Sequence, residues 1–198
     1  MAAHARALTN VADFKTYRGI SGTSYDALLE SLLNACTIFM EKYVGRQLLY
    51  VADANITEFH DGGLYGDDKQ SIFLKNWPVV SVTSVSYSLD DDLSNPTWEA
   101  YSSSTDYKTI LARGEIFFPG SYLPSGQGNI KVIYKAGYAI ADIPDLVMVQ
   151  KQLIARAFDK RKGQGRANES VGGGSIQWED FLDVQAREIL HSYRTPAL

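Results

Sequence analysis

The chain has 198 residues, a hydrophobic content of 45% and a formal net charge of −4. These values fit one well-packed domain with room for a smaller insertion, and they argue against a protein whose overall field draws it to DNA or to an anionic membrane. The single cysteine, Cys36, excludes an internal disulfide framework and cannot supply a structural zinc site. We see no charged leader and no long apolar run, so we expect neither secretion nor membrane insertion.

Two helices are predicted near the N-terminus. The first follows Thr9, its expected N-cap, and ends near Gly19. The second begins at Thr23, whose spacing from Asp26 resembles a capping box, and it ends at Gly45. Apolar residues recur along the second helix at helical spacing and widen into a broad face: Leu28, Leu29, Leu32, Leu33, Ala35, Cys36, Phe39, Met40, Tyr43 and Val44. A face this broad indicates a helix in the middle of a bundle.

The pattern changes to that of β structure from about residue 55 to residue 138. Short runs rich in β-branched and aromatic residues alternate with turn residues such as glycine, proline and aspartate. The runs are Ser71–Lys75, Val79–Tyr87, Tyr107–Leu111, Glu115–Phe118 and Asn129–Tyr134. The intervening turn chemistry predicts antiparallel hairpins.

Helix returns at Pro144, a residue suited to the first helical turn, and continues to about Lys162. The glycine-rich stretch 163–175 contains almost no apolar side chain and predicts a flexible linker. Residues 176–198 then predict an amphipathic helical arm. The fold class is therefore α+β: a connector domain over 1–162, made of a helical bundle (9–45 and 144–162) with an inserted antiparallel β region (55–138), followed by the linker and the arm.

Catalytic chemistry has little support in the sequence. His60 and Asp61 are adjacent, but such a pair entering a glycine turn is typical of solvated turn chemistry. Cys36 lies on the apolar face of the second helix, where a small buried hydrophobe is expected rather than a nucleophile. We therefore predict no catalytic residue and expect that the protein is not an enzyme.

Ligand-binding motifs are equally weak. The aspartates 90–92 are consecutive, so their carboxylates point in different directions, and a charged hairpin tip is the better interpretation than a cation site. The glycine cluster at 163–165 lacks the third glycine of a dinucleotide fingerprint, and neither it nor the cluster at 172–174 carries the lysine of a P-loop. We predict no cofactor and no metal.

Partner binding is the function that the sequence favours. The basic run at the end of the long helix either complements the negative end of the helix dipole or docks on an acidic partner or on DNA phosphates. The arm carries large apolar residues that need a partner to cover them, and we expect it to be disordered until it docks. The candidate binding residues are Arg156, Lys160, Arg161, Lys162, Trp178, Phe181, Leu182, Ile189, Leu190 and Tyr193.

The order of short signals resembles one family, the head-tail connector or adaptor (head completion) proteins of long-tailed phages and related prophages. The matching segments run along nearly the whole chain: Tyr43-Val44-Gly45-Arg46, Thr57-Glu58-Phe59-His60-Asp61-Gly62, Leu74 with Trp77-Pro78-Val79, Ser81-Val82-Thr83-Ser84-Val85, Gly114-Glu115-Ile116, Ile130-Lys131-Val132-Ile133-Tyr134, Ala136-Gly137-Tyr138 and Ile143-Pro144-Asp145-Leu146. The stretch between Asp90 and Gly128 and the glycine-rich hinge depart from shorter members of the family.

The resemblance implies a structural virion protein of the neck, made in the host bacterial cytoplasm. Proteins of this family form a twelve-subunit ring beneath the portal and join the DNA-filled capsid to the tail. The implied partners are the portal protein, a stopper or tail-completion protein, and further copies of the chain. DNA would pass through the channel without sequence-specific binding. The resemblance supplies no catalytic residues.

Three other functions stay open. The chain could be a different neck or tail-completion protein, which would contact other subunits of the virion. It could be a carbohydrate-binding β module that uses Trp77, Trp98, Tyr101 and Tyr122, although such a module needs no long helices. A hydrolase is the least favoured.

Overall fold

The computed structural model describes residues 4–63, 69–90, 96–120, 122–161, 168–171, 174–177 and 182–194, with backbone alone for 168–171 and 174–177. Its α-helices are α1 (Val11–Arg18), α2 (Asp26–Val44), α3 (Pro144–Lys160) and α4 (Val184–Ser192). Its strands are β1 (Ile56–His60), β2 (Ser71–Phe73), β3 (Val79–Tyr87), β4 (Glu99–Ala100), β5 (Lys108–Ile110), β6 (Glu115–Phe117), β7 (Ile130–Ala136), β8 (Asn168–Val171) and β9 (Gly174–Gln177). Short 3-10 turns cover Leu111–Arg113 and Ile140–Asp142.

The chain divides into two compact units. The helical unit combines Met1–Leu48 with Ala139–Leu198, and the β unit is the continuous segment Leu49–Tyr138. The β unit is thus inserted between α2 and α3. This arrangement confirms the predicted α+β class with an antiparallel β insertion in a helical bundle.

Helix ends follow the predicted glycines, whereas helix starts differ. Gly19 and Gly45 adopt left-handed conformations, with φ of 66° and 84°, and end α1 and α2. The N-cap of α1 is Asn10 rather than Thr9, because the Asn10 side chain accepts a hydrogen bond from the Asp13 backbone N–H at 2.9 Å. The predicted capping box at Thr23 is also wrong, since α2 begins at Asp26 without a side-chain cap.

The core of the helical unit lies between α2 and α3, with α1 and α4 packed against them. The buried residues of α2 and α3 are Leu29, Leu33, Cys36, Thr37, Met40, Val44, Leu146, Val149, Gln150, Leu153, Ile154, Ala155 and Phe158. The apolar face of α2 is broader than its buried part, because Leu28 and Ile38 remain exposed. Helix α2 contacts α1, α3 and α4, in agreement with the predicted position in the middle of a bundle. Among the residues that the structure describes, no helix is long and apolar enough to cross a membrane.

The β unit contains a four-stranded sheet in the order β1-β7-β3-β4 and a three-stranded sheet in the order β2-β6-β5. All pairings are antiparallel, as predicted. Most neighbours are nevertheless distant in sequence: Ile56 of β1 pairs with Tyr134 of β7. Strand β7 alternates buried and half-buried residues, so one of its faces enters the core of the unit. The core residues are Ile72, Leu74, Val79, Val85, Tyr107, Ile116, Phe118, Leu123, Ile130, Val132, Tyr134 and Ala136.

The C-terminal part differs from the predicted linker and helical arm. Strands β8 and β9 pair as an antiparallel hairpin, with Asn168 opposite Gln177, where the sequence predicts a structureless stretch. Helix α4 begins at Val184, so the arm is helical over a shorter range than 176–198. Asp183 fixes this start because its side chain accepts the Ala186 backbone N–H at 2.6 Å.

Candidate functional site

The basic end of α3 makes contacts inside its own unit. The Arg156 guanidinium forms an ion pair with Asp183, the N-cap of α4. The Arg161 guanidinium lies 3.6 Å from the ring centroid of Phe158 and 5.1 Å from that of Tyr25. Lys160 is half-buried, and Lys162 lies outside the described residues. Arg156 and Arg161 therefore organise the helical unit as well as contributing positive charge to its surface.

Two further residue pairs hold α4 on the helical unit. The buried Arg46 side chain donates from Nε to the Tyr193 carbonyl at 2.9 Å. The Tyr193 hydroxyl lies 3.0 Å from both carboxylate oxygens of Asp145 on α3. The hydrogen bond from the Ala186 N–H lowers the pKa of Asp183, and the positive charge of Arg156 lowers it further. Desolvation opposes these two effects, but the pKa stays below its usual value. The Asp183 cap is consequently charged at neutral pH.

The arm residues predicted to bind a partner divide into three groups. Leu190 is fully buried against its own unit, with 0% of its surface exposed. Leu182, Ile189 and Tyr193 are half-buried, which leaves part of each side chain accessible. Trp178 and Phe181 lie outside the described residues. Residues 182–194 thus differ from the expectation of a detached arm, because Arg46, Asp145 and Arg156 contact them. Apolar spacing in the sequence does not reveal such side-chain contacts.

An aromatic and basic patch lies on the outer face of the four-stranded sheet. Phe59 of β1 is 59% exposed, and its ring centroid lies 5.8 Å from that of Trp98. The Lys131 ammonium lies 4.3 Å from the Trp98 ring centroid, a cation–π geometry. The exposed-to-half-buried alternation along β1 puts Thr57 and Phe59 on this face. We call Phe59, Trp98 and Lys131 the sheet patch. These three residues are distant in sequence, so the sequence does not reveal the patch, although the alternating pattern of residues 56–60 places Phe59 on an exposed face.

The inner side of β1 carries a polar network around Glu58. The carboxylate accepts hydrogen bonds from the Tyr134 hydroxyl, from Asn76 Nδ2 at 2.9 Å and from the Lys75 backbone N–H at 3.1 Å. His60 Nε2 lies 3.2 Å from it. Burial alone would raise the pKa of Glu58, but these donors outweigh burial and lower it.

The network is chemically quiet in spite of its composition. The pKa of Tyr134 is raised, first by burial and then by its hydrogen bond to Glu58. A carboxylate that stays charged and a phenol that stays neutral cannot exchange a proton near neutral pH. The network therefore anchors the loop 75–76 to the sheet.

The other candidate reactive groups have structural roles. Asp61 accepts the Gly128 backbone N–H at 2.7 Å, as expected for turn chemistry. Cys36 is buried, and burial raises the pKa of its thiol to about 12, so the thiolate nucleophile is suppressed. Across the described residues no three histidine, cysteine or carboxylate side chains group as metal ligands. Asp90 caps a loop by accepting the Thr97 N–H at 2.6 Å, whereas 91 and 92 lie outside the described residues.

Three of the four aromatic residues of the carbohydrate hypothesis make separate ring contacts. Trp77 packs against Tyr138, with ring centroids 6.4 Å apart. Tyr101 packs against the buried Phe118 at 5.0 Å, whereas Trp98 belongs to the sheet patch. A sugar-binding platform needs aromatic faces on one surface, and these rings serve separate packing sites.

The family model of the head completion protein, HCP, matches residues 7–196. The chain therefore belongs to the head completion protein family, whose members are structural proteins and not enzymes. No curated protein matches the chain.

Solved structures of gene transfer agent (GTA) particles contain chains of the same fold. A chain in the neck of the empty GTA particle with C6 symmetry has a TM-score of 0.65 and 17% identity. A chain in the neck of the native GTA particle with C12 symmetry has a TM-score of 0.62 and 18% identity. A chain in the virion of the native particle has a TM-score of 0.64 and 19% identity. Each comparison covers 100% of this chain and 94% of the other chain. At these identities the likeness establishes the fold.

Proposed function

We propose that this protein is a head-tail adaptor of a tailed phage or a related particle. Copies form a ring beneath the portal and join the DNA-filled capsid to the tail or neck. The family match over residues 7–196 carries the proposal. The same fold in a GTA neck with C12 symmetry supports a ring of twelve subunits. The protein would be made in the host bacterial cytoplasm and act in the virion neck.

The end of α3 and the C-terminal segment form the proposed contact with the portal or with a neighbouring subunit held there. Leu182 and Ile189 offer partly exposed apolar surface, and Lys160 adds positive charge. Arg156 supports this surface by fixing the start of α4 through Asp183. The proposed binding set also includes Arg161, Lys162, Trp178, Phe181 and Tyr193, whereas the buried Leu190 supports this surface from inside the helical unit.

The sheet patch is the proposed contact with the next tail component, such as a stopper or tail-completion protein. Phe59 is an exposed large aromatic residue, and Trp98 is held in place by Lys131. Aromatic residues of this kind are enriched at interface centres because they bury large area with little loss of conformational freedom. A tail protein with an apolar centre and an acidic rim would fit this patch.

The proposed channel lets DNA slide rather than binding it. The net charge of −4 gives no overall attraction for phosphates. Several basic side chains are already paired with carboxylates: Arg6 with Glu41, Lys15 with Asp26, and Arg18 with Asp159. We expect duplex DNA to bind the assembled ring weakly, with no sequence preference, even at low salt.

The proposal is tested with particles from the genome that encodes this chain, after its gene is deleted. We expect DNA-filled heads without tails, and addition of the purified protein should restore joining. Electron microscopy of heads incubated with the protein should reveal a ring at the portal vertex. Normal tailed particles without the protein would overturn the proposal. A ring attached to isolated tails but never to heads would instead assign a tail-completion role.

A further inference from the structure

Helix α2 carries an apolar stripe on the side away from the bundle core. Its buried residues, including Leu33, Met40 and Val44, lie on one side of the helix. At about 100° per residue, Leu28, Ser31, Ala35, Ile38 and Lys42 lie on the opposite side. Leu28 is 38% exposed and Ile38 is 42% exposed. We call these five residues the α2 stripe.

The α2 stripe contains a single charged residue. The acidic residues Asp26 and Glu41 lie off the stripe and pair with Lys15 and Arg6. Only Lys42, at the C-terminal end of the helix, adds a charge to the stripe. A solvated helix face is normally rich in charged residues, so an uncharged stripe of nearly three turns is typical of a face that packs against protein.

A second uncovered apolar face lies on α3. Gln150 faces α2, because its Nε2 donates to Thr37 Oγ1 at 2.7 Å. Met148, which is 46% exposed, points about 160° away from Gln150 around the helix, together with the exposed Pro144. The preceding 3-10 turn adds Ile140, 50% exposed, and the exposed Asp142. We call Ile140, Asp142, Pro144 and Met148 the α3 face.

The α2 stripe and the helical part of the α3 face, Pro144 and Met148, lie on opposite sides of the α2–α3 pair. On α2 the stripe lies opposite Thr37, which faces α3, and on α3 Met148 lies opposite Gln150, which faces α2. A ring with a single rotation axis needs a heterologous interface, in which two different surfaces of each subunit meet. The α2 stripe and the α3 face fulfil this requirement because they are two different surfaces with exposed apolar residues and with the opposite charges of Lys42 and Asp142.

We propose that the α2 stripe of one copy packs on the α3 face of the next copy in the ring. Ile38 lies beside Met148 of the neighbouring copy, and Lys42 lies beside its Asp142. This inference rests on the proposed ring. It goes beyond that proposal by assigning the surfaces through which the subunits meet.

Disulfide cross-linking tests the contact in the full chain. Cys36 is 3% exposed and gives little background. Under conditions in which the wild-type chain forms rings, oxidation of the Ile38→Cys/Met148→Cys variant should yield a ladder of linked subunits. Each single variant should yield no linked dimer, and Ile38→Cys/Phe73→Cys serves as the mismatched pair. Rings without a ladder, or efficient dimers from Ile38→Cys alone, would overturn the proposal.

Complementation of two broken surfaces provides a second test. Ile38→Asp and Met148→Asp should each raise the concentration needed for ring assembly by about tenfold or more. A mixture of the two variants should form a dimer that cannot extend, because one intact pair of surfaces remains. Lys42→Glu and Asp142→Lys should each weaken assembly, and the double variant should recover part of it. Circular dichroism checks that each variant is folded.

The outcomes separate this inference from the proposed function. If Ile38→Asp and Met148→Asp each form rings as readily as the wild type, the assigned surfaces are wrong and the adaptor function still stands. Heads that never acquire a ring from the wild-type protein, with no effect on tail joining, overturn both.

Discussion

Gln150 of α3 donates a hydrogen bond from Nε2 to Thr37 Oγ1 of α2 at 2.7 Å. Gln150 is 0% exposed and Thr37 is 3% exposed, so the bond lies inside the core of the helical unit. The Thr37 hydroxyl in turn donates to the Leu33 carbonyl at 2.8 Å. A buried polar bond of this kind fixes the register of α2 against α3, because sliding either helix would leave the Gln150 amide without its acceptor in the core.

Thr37→Val should destabilise the helical unit by about 1–3 kcal/mol, because the amide N–H of Gln150 loses its partner in the core. The double variant Thr37→Val/Gln150→Leu should recover most of this loss, since both polar groups are then removed. Urea unfolding of the three variants measures the difference. Equal stability of Thr37→Val and the wild type would contradict the buried bond.

The Glu58 network should make stability depend on pH. The folded-state pKa of Glu58 is lowered, so its contribution is present above the unfolded pKa of about 4.3 and is lost as the pH falls through the folded value. Glu58→Gln should therefore be less stable than the wild type at about pH 7, and the gap should shrink towards about pH 3. Thermal unfolding over this range measures the gap. The exposed Glu188→Gln is the control, and a gap independent of pH would count against the network.

Leu190→Ala should cost about 2–5 kcal/mol, because Leu190 is fully buried where α4 packs on the helical unit. The exposed Arg187→Ala on the same helix should change stability by less than about 0.5 kcal/mol. Urea unfolding of the free subunit compares them. If Leu190→Ala also has no effect, α4 is detached in the free subunit, as the sequence alone predicts. A chain truncated after Lys162 should lose stability for the same reason.

Gly137→Ala should be much more damaging than Gly120→Ala. Both glycines have positive φ, 123° and 77°, so alanine is strained at either position. A Cβ at Gly137 would lie 2.5 Å from the Tyr50 backbone nitrogen, whereas at Gly120 nothing lies within 4 Å. We expect Gly120→Ala to cost about 1–2 kcal/mol and Gly137→Ala clearly more. Thermal melting of the two variants tests the order, and similar losses would contradict the close approach at Tyr50.

Trp98→Ala should reduce attachment of tails to heads that carry the adaptor, because it removes the centre of the sheet patch. The expected loss is about tenfold or more in the affinity for the next tail component. Tyr122→Ala, which changes an exposed aromatic residue of the β unit outside the sheet patch, is the control. Tail attachment counted by electron microscopy gives the readout, and unchanged joining by Trp98→Ala would remove the patch from the proposed interface.

The sequence by itself determined the features whose causes are local. Gly19 and Gly45 end their helices because glycine adopts the left-handed conformation at little cost. The bounds of β3, Val79–Tyr87, follow from a continuous run of β-branched and small residues. The order of elements in the chain was enough to predict helices that enclose an antiparallel β insertion.

Only the tertiary structure decided which elements meet. Strand β1 pairs with β7 across the whole insertion, and α4 packs on the helical unit through Arg46 and Asp145. Likewise, Phe59, Trp98 and Lys131 form one patch although they come from three separate segments. Such contacts depend on the sum of packing free energies over the folded chain. No local stretch of sequence contains that sum, so propensity and periodicity predict the elements but not their partners.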